Sequence, residues 1–144
     1  MLPVQIILQN KGHAVHHVAP DATVYEALRL MAQHNCGALP VIEGGRPVGM
    51  MSERDYARKV VLVGKLSKET PVREIMDRSV YNVTPDTGIH ECMALMTQGR
   101  TRHVLVCDGG KLVGLVSIGD VVKALMEDQQ VTIEQLNHYI TGCR

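Results

Sequence analysis

Apolar residues recur at helical spacing in two similar stretches of the chain. Residues 23–35 carry apolar side chains at i, i+4 and i+7, namely Val24, Leu28 and Met31. This spacing predicts an amphipathic helix, and Thr23 with Glu26 forms a capping-box pattern at its start. The second stretch repeats the spacing after Gly88, with Ile89, Cys92, Met93 and Met96.

Short apolar runs follow each of these helices and predict two β-hairpins. The four strands of these hairpins are predicted at 38–42, 47–51, 103–107 and 112–116. Each pair of strands is joined by four residues with two central glycines, 43–46 and 108–111, as expected of a tight turn. Three further helices are predicted at 53–63, 118–127 and 132–141.

The chain is a tandem repeat with a shift of 65 residues. Of the 44 positions from 15 to 58, 15 are identical to the residue 65 positions later, without a gap. At a shift of 68 residues Pro3-Val4 also matches Pro71-Val72, so each unit is expected to begin with a short proline-started helix. Each unit is therefore predicted as helix–strand–helix–strand–strand–helix, with a first strand that includes His16 in unit one and Tyr81 in unit two. The predicted division of the chain is unit one at 3–63, a linker at 64–70, unit two at 71–126 and a helical tail at 127–144.

Both units carry the pattern Gly-x-x-Ser-x-x-Asp where the hairpin meets the following helix. Its residues are Gly49, Ser52 and Asp55 in unit one, and Gly114, Ser117 and Asp120 in unit two. One interpretation is purely structural, because Ser-x-x-Asp is itself a helix-capping pattern. The other is ligand binding, since a helix N-terminus attracts phosphate and an Asp one turn in can accept both hydroxyls of a ribose. A phosphate site beside a diol site indicates a nucleotide.

The duplicated unit, the Gly-Ala-Leu-Pro-Val run at 37–41 and the paired motifs resemble a tandem pair of CBS domains, named after cystathionine β-synthase. The resemblance covers about residues 3–126. It implies an α/β (α+β) fold in which two pseudo-symmetric units pack sheet to sheet. It also implies a regulatory module that binds adenine nucleotides in clefts between the units and senses energy or redox state.

The resemblance also implies ligands and partners. AMP is the first candidate ligand, followed by ADP, ATP and NAD(H). The alternatives are an S-adenosylmethionine sensor and an interaction adaptor with empty sites. A homodimer is expected through the helices that follow the motifs, including Tyr56, Val60, Val121, Val122 and Leu125. The sequence does not identify the regulated protein.

The resemblance assigns three kinds of contact by position. Ribose hydroxyls are expected at the motif aspartates, and ribose or phosphate at the motif serines. Base or phosphate is expected where the second strand begins, at Gly37, Ala38, Pro40, Arg102 and His103. Adenine is expected to be flanked by two residues at equivalent positions in the first strand, His16 and Tyr81.

The two sites are predicted to differ. Unit one has Arg54 inside its motif where unit two has Gly119, and unit two has Arg102-His103 where unit one has Gly37-Ala38. Because arginine makes a forked contact with phosphate, the sites are expected to differ in ligand or affinity. One would hold AMP and the other a larger adenine nucleotide such as NAD(H).

Composition narrows the function classes. The chain has 15 Lys and Arg against 15 Asp and Glu, and its 144 residues include no Phe or Trp. A net charge of zero with few aromatic residues argues against nucleic-acid binding. No nucleophile–base pair, metal motif or carboxylate pair stands at usable spacing, so no catalysis, catalytic cofactor or metal is expected.

Compartment and cysteine chemistry are also predicted from the sequence. No run is long enough for a membrane helix and no secretory signal is visible, so a cytoplasmic protein is expected. Cys36, Cys92 and Cys107 are interpreted as small core residues, and Cys143 as a candidate reactive thiol near the tail.

Overall fold

The computed structural model describes residues 2–128 and shows an α+β fold of two similar halves. In chain order its elements are α1 (Gln5–Lys11), α2 (Val24–His34), β1 (Ala38–Glu43), β2 (Arg46–Ser52), α3 (Glu53–Tyr56), a π-helical turn (Ala57–Val61), a 3-10 turn (Val72–Glu74), β3 (Asn82–Val83), α4 (Ile89–Gly99), β4 (His103–Asp108), β5 (Lys111–Ser117) and α5 (Ile118–Asp128). The predicted fold class is confirmed. The helix predicted at 132–141 and Cys143 lie outside the described residues. Among the described helices, none is long and apolar enough to cross a membrane.

Each half is built around an antiparallel hairpin, as predicted. β1 pairs with β2 from Ala38↔Ser52 to Glu43↔Arg46, and β4 pairs with β5 in the equivalent register. The first turn holds its two central glycines at φ of 60° and 80°, and the second turn repeats this at 61° and 81°. Such a turn needs positive φ at both central residues, which glycine adopts without strain.

A parallel strand joins the hairpin in the second half only. There, β3 pairs with Leu105 and Val106 of β4. In the first half the equivalent contact is a single bridge between Val18 and Val41. The sheets therefore have two strands in the first half and three in the second, and the predicted first strand of unit one is reduced to that bridge.

The segment that precedes each half packs against the other half. Three residues at or near α1 are buried with the core of the second half: Val4, Ile7 and Leu8. Three residues at or near the 3-10 turn are buried with the core of the first half: Val72, Ile75 and Met76. The repeat in the sequence and the cores therefore follow different boundaries, because these two helical segments are exchanged between the halves.

The glycine of each motif lies where an exchanged segment crosses the hairpin. A Cβ atom on Gly49 would lie 2.8 Å from the carbonyl oxygen of Asp77, and one on Gly114 would lie 2.4 Å from Leu8 Cδ2. Beside Gly49, Met50 and Asp77 exchange two backbone hydrogen bonds of 2.9 and 2.8 Å. Close packing therefore explains both motif glycines without a ligand.

Two predictions about the segments that follow the motifs are corrected, one on the extent of a helix and one on the dimer interface. The segment predicted as one helix at 53–63 is a single α-turn that continues as a π-helix and ends at Val61. Val60 is 1% exposed and Val121 is fully buried. Their assignment to a dimer interface is therefore wrong, since both side chains already fill the cores of their own halves.

Candidate functional site

A cleft of about 460 Å³ lies between the two halves. One wall is formed where β1 and α3 begin, and the opposite wall is the connection between α4 and β4. Seven predicted site residues line it together: Gly37, Ala38, Ser52, Arg54, Asp55, Arg102 and His103. The volume falls in the range typical of small-molecule sites. The fold therefore brings residues from both repeats to one cavity.

Ser52 and Asp55 form a complete capping box at the start of α3. Ser52 Oγ accepts a hydrogen bond from the Asp55 backbone N–H at 3.1 Å, and Asp55 Oδ2 accepts one from the Ser52 backbone N–H at 3.0 Å. Asp55 Oδ1 lies 3.2 Å from Lys59 Nζ. The capping interpretation is thus correct, and it also fixes the Asp55 carboxylate at the edge of the cleft.

Three arginines line this cleft, Arg54 from the start of α3 and Arg100 and Arg102 from the α4–β4 connection. Within residues 2–128 none of their guanidinium groups has a salt-bridge partner. Three carboxylates on the same lining offset their charge: Glu53, Asp55 and Asp77. The free guanidinium groups can therefore bind an anion, because arginine presents a planar fork that matches phosphate.

His103 stands at the start of β4, between the two motifs. Burial lowers the pKa of its imidazole below the ordinary value, and the charge of Lys11 lowers it further while Asp120 opposes this. The side chain is therefore neutral at pH 7, and its ring can act as donor or acceptor according to tautomer.

The aspartate of the second motif has a different salt-bridge partner from the aspartate of the first. Ser117 and Asp120 cap α5 as their counterparts cap α3, with hydrogen bonds of 2.9 and 3.1 Å. Lys11 Nζ, from the end of α1, lies 2.7 Å from Asp120 Oδ2 and donates to the Leu115 carbonyl at 3.0 Å. Burial raises the pKa of Asp120, but the hydrogen bonds from Lys11 and Ser117 outweigh it and hold the pKa below its usual value. Asp120 lines a separate cavity of about 360 Å³ between α1 and α5.

The remaining predicted residues lie away from the lining of both cavities. His16 is exposed and stacks on His34 with ring centroids 3.4 Å apart. Tyr81 lies over Gly99, where a Cβ atom would be 2.2 Å from its ring. Pro40 is buried in β1, and its carbonyl accepts the Val18 N–H at 3.1 Å.

The sequence interpretation missed several lining residues. The most informative are Arg100 and Thr101 at the end of α4, and Asp77 and Ser79 after the 3-10 turn. The first two are neighbours of Arg102, so a wider window around it would have included them. Asp77 and Ser79 carry no local signal, because they reach the cleft only through the exchange of segments between the halves.

The described cysteines are unpaired thiols. Burial raises the pKa of Cys92 to about 11. Burial likewise raises the pKa of Cys36 and of Cys107, which are half-buried. These thiols stay protonated at neutral pH and are poor nucleophiles.

Comparison with known proteins gives consistent matches. The CBS domain family model matches residues 12–62 and 72–127. The structure of a protein with CBS domains from Burkholderia ambifaria superposes with a TM-score of 0.84 at 49% identity, covering 88% of this chain and 96% of that one. The mitochondrial CBS domain-containing protein CBSX3 of Arabidopsis thaliana is 42% identical over an alignment of 127 residues. The match covers 85% of this chain and 62% of that protein. A hexameric CBS-CP12 protein from bloom-forming cyanobacteria superposes with a TM-score of 0.74 at 29% identity, covering 84% of this chain and 66% of that one.

The structure defines a protein of two α+β units that exchange their leading segments around a charged cleft. The chain belongs to the CBS-domain family and carries a tandem pair of these domains. Both the predicted family and the predicted fold are confirmed. The chain spans less than two thirds of the length of its Arabidopsis relative.

Proposed function

We propose that this protein is a regulatory module that binds an adenine nucleotide in the cleft between its two halves. The observation that carries the proposal is the cleft itself, where a fixed carboxylate and three arginines without salt-bridge partners in the described chain line one cavity of about 460 Å³. Membership of the CBS family fits a regulatory role. We expect ligand binding without turnover.

The cleft offers a partner for each part of a nucleotide. Asp55 Oδ1 has one partner, Lys59, so it retains acceptor capacity for a ribose hydroxyl. The three guanidinium groups supply forked donors for phosphate. Tyr81 does not line the cleft itself, but its ring covers Gly99, which does, and we expect this ring to border the base.

A thermal-shift screen with AMP, ADP, ATP, NADH and S-adenosylmethionine tests this function. A ligand at a hundredfold excess over its Kd adds about 2.7 kcal/mol to the free energy of unfolding. For a chain of this size, that raises Tm by roughly 6–10 °C. A screen in which no adenine nucleotide moves Tm argues against the function, and a response to S-adenosylmethionine alone assigns the other ligand class.

We infer that the second motif binds nucleotide more weakly than the first, because Lys11 Nζ lies 2.7 Å from Asp120 Oδ2, a closer pairing than the 3.2 Å between Lys59 Nζ and Asp55 Oδ1. Leu115, whose carbonyl Lys11 contacts, is the repeat equivalent of Met50. In the first half that position exchanges backbone hydrogen bonds with Asp77 instead, and the lysine that pairs with Asp55 is Lys59, from the π-helical turn of the same half. We therefore expect the two sites to differ in affinity.

Lys11→Met is expected to strengthen binding at the second site in calorimetric titration. Removing the ammonium leaves Asp120 Oδ2 with the Ser117 N–H as its remaining partner, so it regains acceptor capacity for a ribose hydroxyl. The stoichiometry should then move from one towards two nucleotides per chain. Lys123→Met is the matched control, since Lys123 lines the same cavity but pairs with Glu127 at 4.0 Å. Two identical, independent sites in the unmodified protein would contradict this inference.

We propose a homodimer that uses the exposed face of α5. Ile118, Val122 and Met126 recur at i, i+4 and i+8 and are 39%, 45% and 44% exposed. The CBS-CP12 protein of cyanobacteria, which has the same fold, is hexameric. Its assembly supports oligomerisation of this chain.

We also propose a reducing compartment, with the cytoplasm as the expected location. Cys36, Cys92 and Cys107 are free in the described part of the chain, as is usual where thiols are kept reduced. The Arabidopsis relative is named as mitochondrial, so a second reducing compartment is available to this family.

A further inference from the structure

Arg100 has a backbone conformation that its side chain does not favour. It ends α4 in the left-handed region with φ of 52°, and its repeat equivalent, Asn35, ends α2 in the same way with φ of 53°. Asparagine adopts this conformation readily, whereas a long side chain pays a steric penalty. The same left-handed helix end is therefore formed by a favoured residue type, asparagine, in the first half and by a disfavoured one, arginine, in the second.

The end of α4 does not need the arginine side chain. The helix is closed by main-chain hydrogen bonds, from Arg100 N–H to the Thr97 carbonyl at 3.3 Å and from Thr101 N–H to the Met96 carbonyl at 3.0 Å. The side chain of Arg100 is exposed and has no salt-bridge partner in the described chain. Strained residues of this kind concentrate at functional sites.

Arg100 lines the cleft together with two other guanidinium groups. Arg102 lies two residues further on the same connection, and Arg54 lies on the opposite wall. A single phosphate carries up to about two negative charges near neutral pH. Three separate guanidinium forks are matched better by a chain of phosphates, because each phosphate can engage one fork.

We propose that Arg100 is a specificity-determining residue, which makes this cleft prefer an adenine nucleotide with two or three phosphates over AMP. The proposal rests on the function proposed above and places ADP and ATP ahead of AMP at the cleft lined by Asp55. Arg100 contacts the terminal phosphates, while Arg54 and Arg102 hold the phosphates nearer the ribose. Arginine stands at this position despite its unfavourable backbone conformation, because asparagine or glycine could not make this contact.

Calorimetric titration of the full chain with AMP, ADP and ATP, in EDTA and again with Mg²⁺, tests the proposal. The unmodified protein is expected to bind ATP about tenfold more tightly than AMP, as one additional charge-assisted contact allows. Arg100→Gly is expected to lower ATP affinity by about tenfold and AMP affinity by distinctly less, so that most of this preference is lost. It is also expected to raise the Tm of the ligand-free protein by roughly 3 °C, because glycine adopts the left-handed conformation without strain.

Asn35→Gly is the matched control, since it makes a comparable change at the equivalent position outside the cleft. It should leave the affinity for all three nucleotides unchanged. Equal binding of AMP and ATP by the unmodified protein, or an equal loss of all three affinities in Arg100→Gly, overturns the specificity role and leaves the proposed function standing. If the unmodified protein binds none of the three, and NADH also leaves Tm unchanged in the thermal-shift screen, the proposed function fails as well.

Discussion

Leu8→Ala is expected to lower the free energy of unfolding by about 2–5 kcal/mol, as for other fully buried leucines. Leu8 is 1% exposed and belongs to the core of the second half, although it precedes the first half in the sequence. Leu8 packs directly over Gly114, where no Cβ atom fits. Because Gly114 has no side chain that could move into the space left by Leu8→Ala, we expect a cavity to remain there. Urea denaturation, monitored by circular dichroism, measures this loss in the free energy of unfolding.

Leu62→Ala is the matched control for this prediction. Leu62 is 77% exposed, so the same truncation removes little buried area and should change stability by less than about 0.5 kcal/mol. An unfolding curve for Leu8→Ala that overlays that of Leu62→Ala would show that α1 is not part of the second core. A loss as large as expected would show that the exchanged segment stabilises the half it packs on.

Asp55→Asn is expected to weaken nucleotide binding by about 10- to 100-fold, because hydrogen bonds to a charged group contribute roughly 1.5–3 kcal/mol. The amide oxygen of asparagine can still accept the Ser52 N–H, so the capping of α3 should persist. The amide nitrogen that replaces Oδ1 is a donor, so the acceptor for a ribose hydroxyl is lost. The loss of negative charge also removes the ion pair with Lys59. The measured quantity is the ligand-induced rise in Tm, compared at equal nucleotide concentration.

Asp86→Asn is the appropriate comparison, because Asp86 is exposed and lies outside the lining of the cleft. It should keep the full ligand-induced rise. Retention of that rise in Asp55→Asn would remove Asp55 from the site, even if the ligand-free stability of the two variants differed.

Local features of the fold could be predicted because their causes are local in sequence. The paired glycines specify the hairpin turns, Thr23 with Glu26 specifies the start of α2, and the two serine motifs specify the starts of α3 and α5. The repeat then assigns the same architecture to both halves. These features need no knowledge of which segments meet in three dimensions.

Features that depend on long-range packing could not be predicted in this way. Aligning Pro3-Val4 with Pro71-Val72 shows that both begin a helical segment, but it does not show which hairpin each segment covers. The exchange of these segments brings Lys11 to Asp120 and places Asp77 beside Gly49. The meeting of Arg54 and Arg102 in one cleft likewise follows from the packing of the halves.

The cleft is most directly tested by a crystal structure of the full chain grown with ATP or AMP. We predict that the nucleotide lies between the two halves, with its ribose hydroxyls on Asp55 and its phosphates among Arg54, Arg100 and Arg102. A nucleotide bound elsewhere on the chain, with this cleft containing only solvent at saturating ligand, would contradict the proposed site.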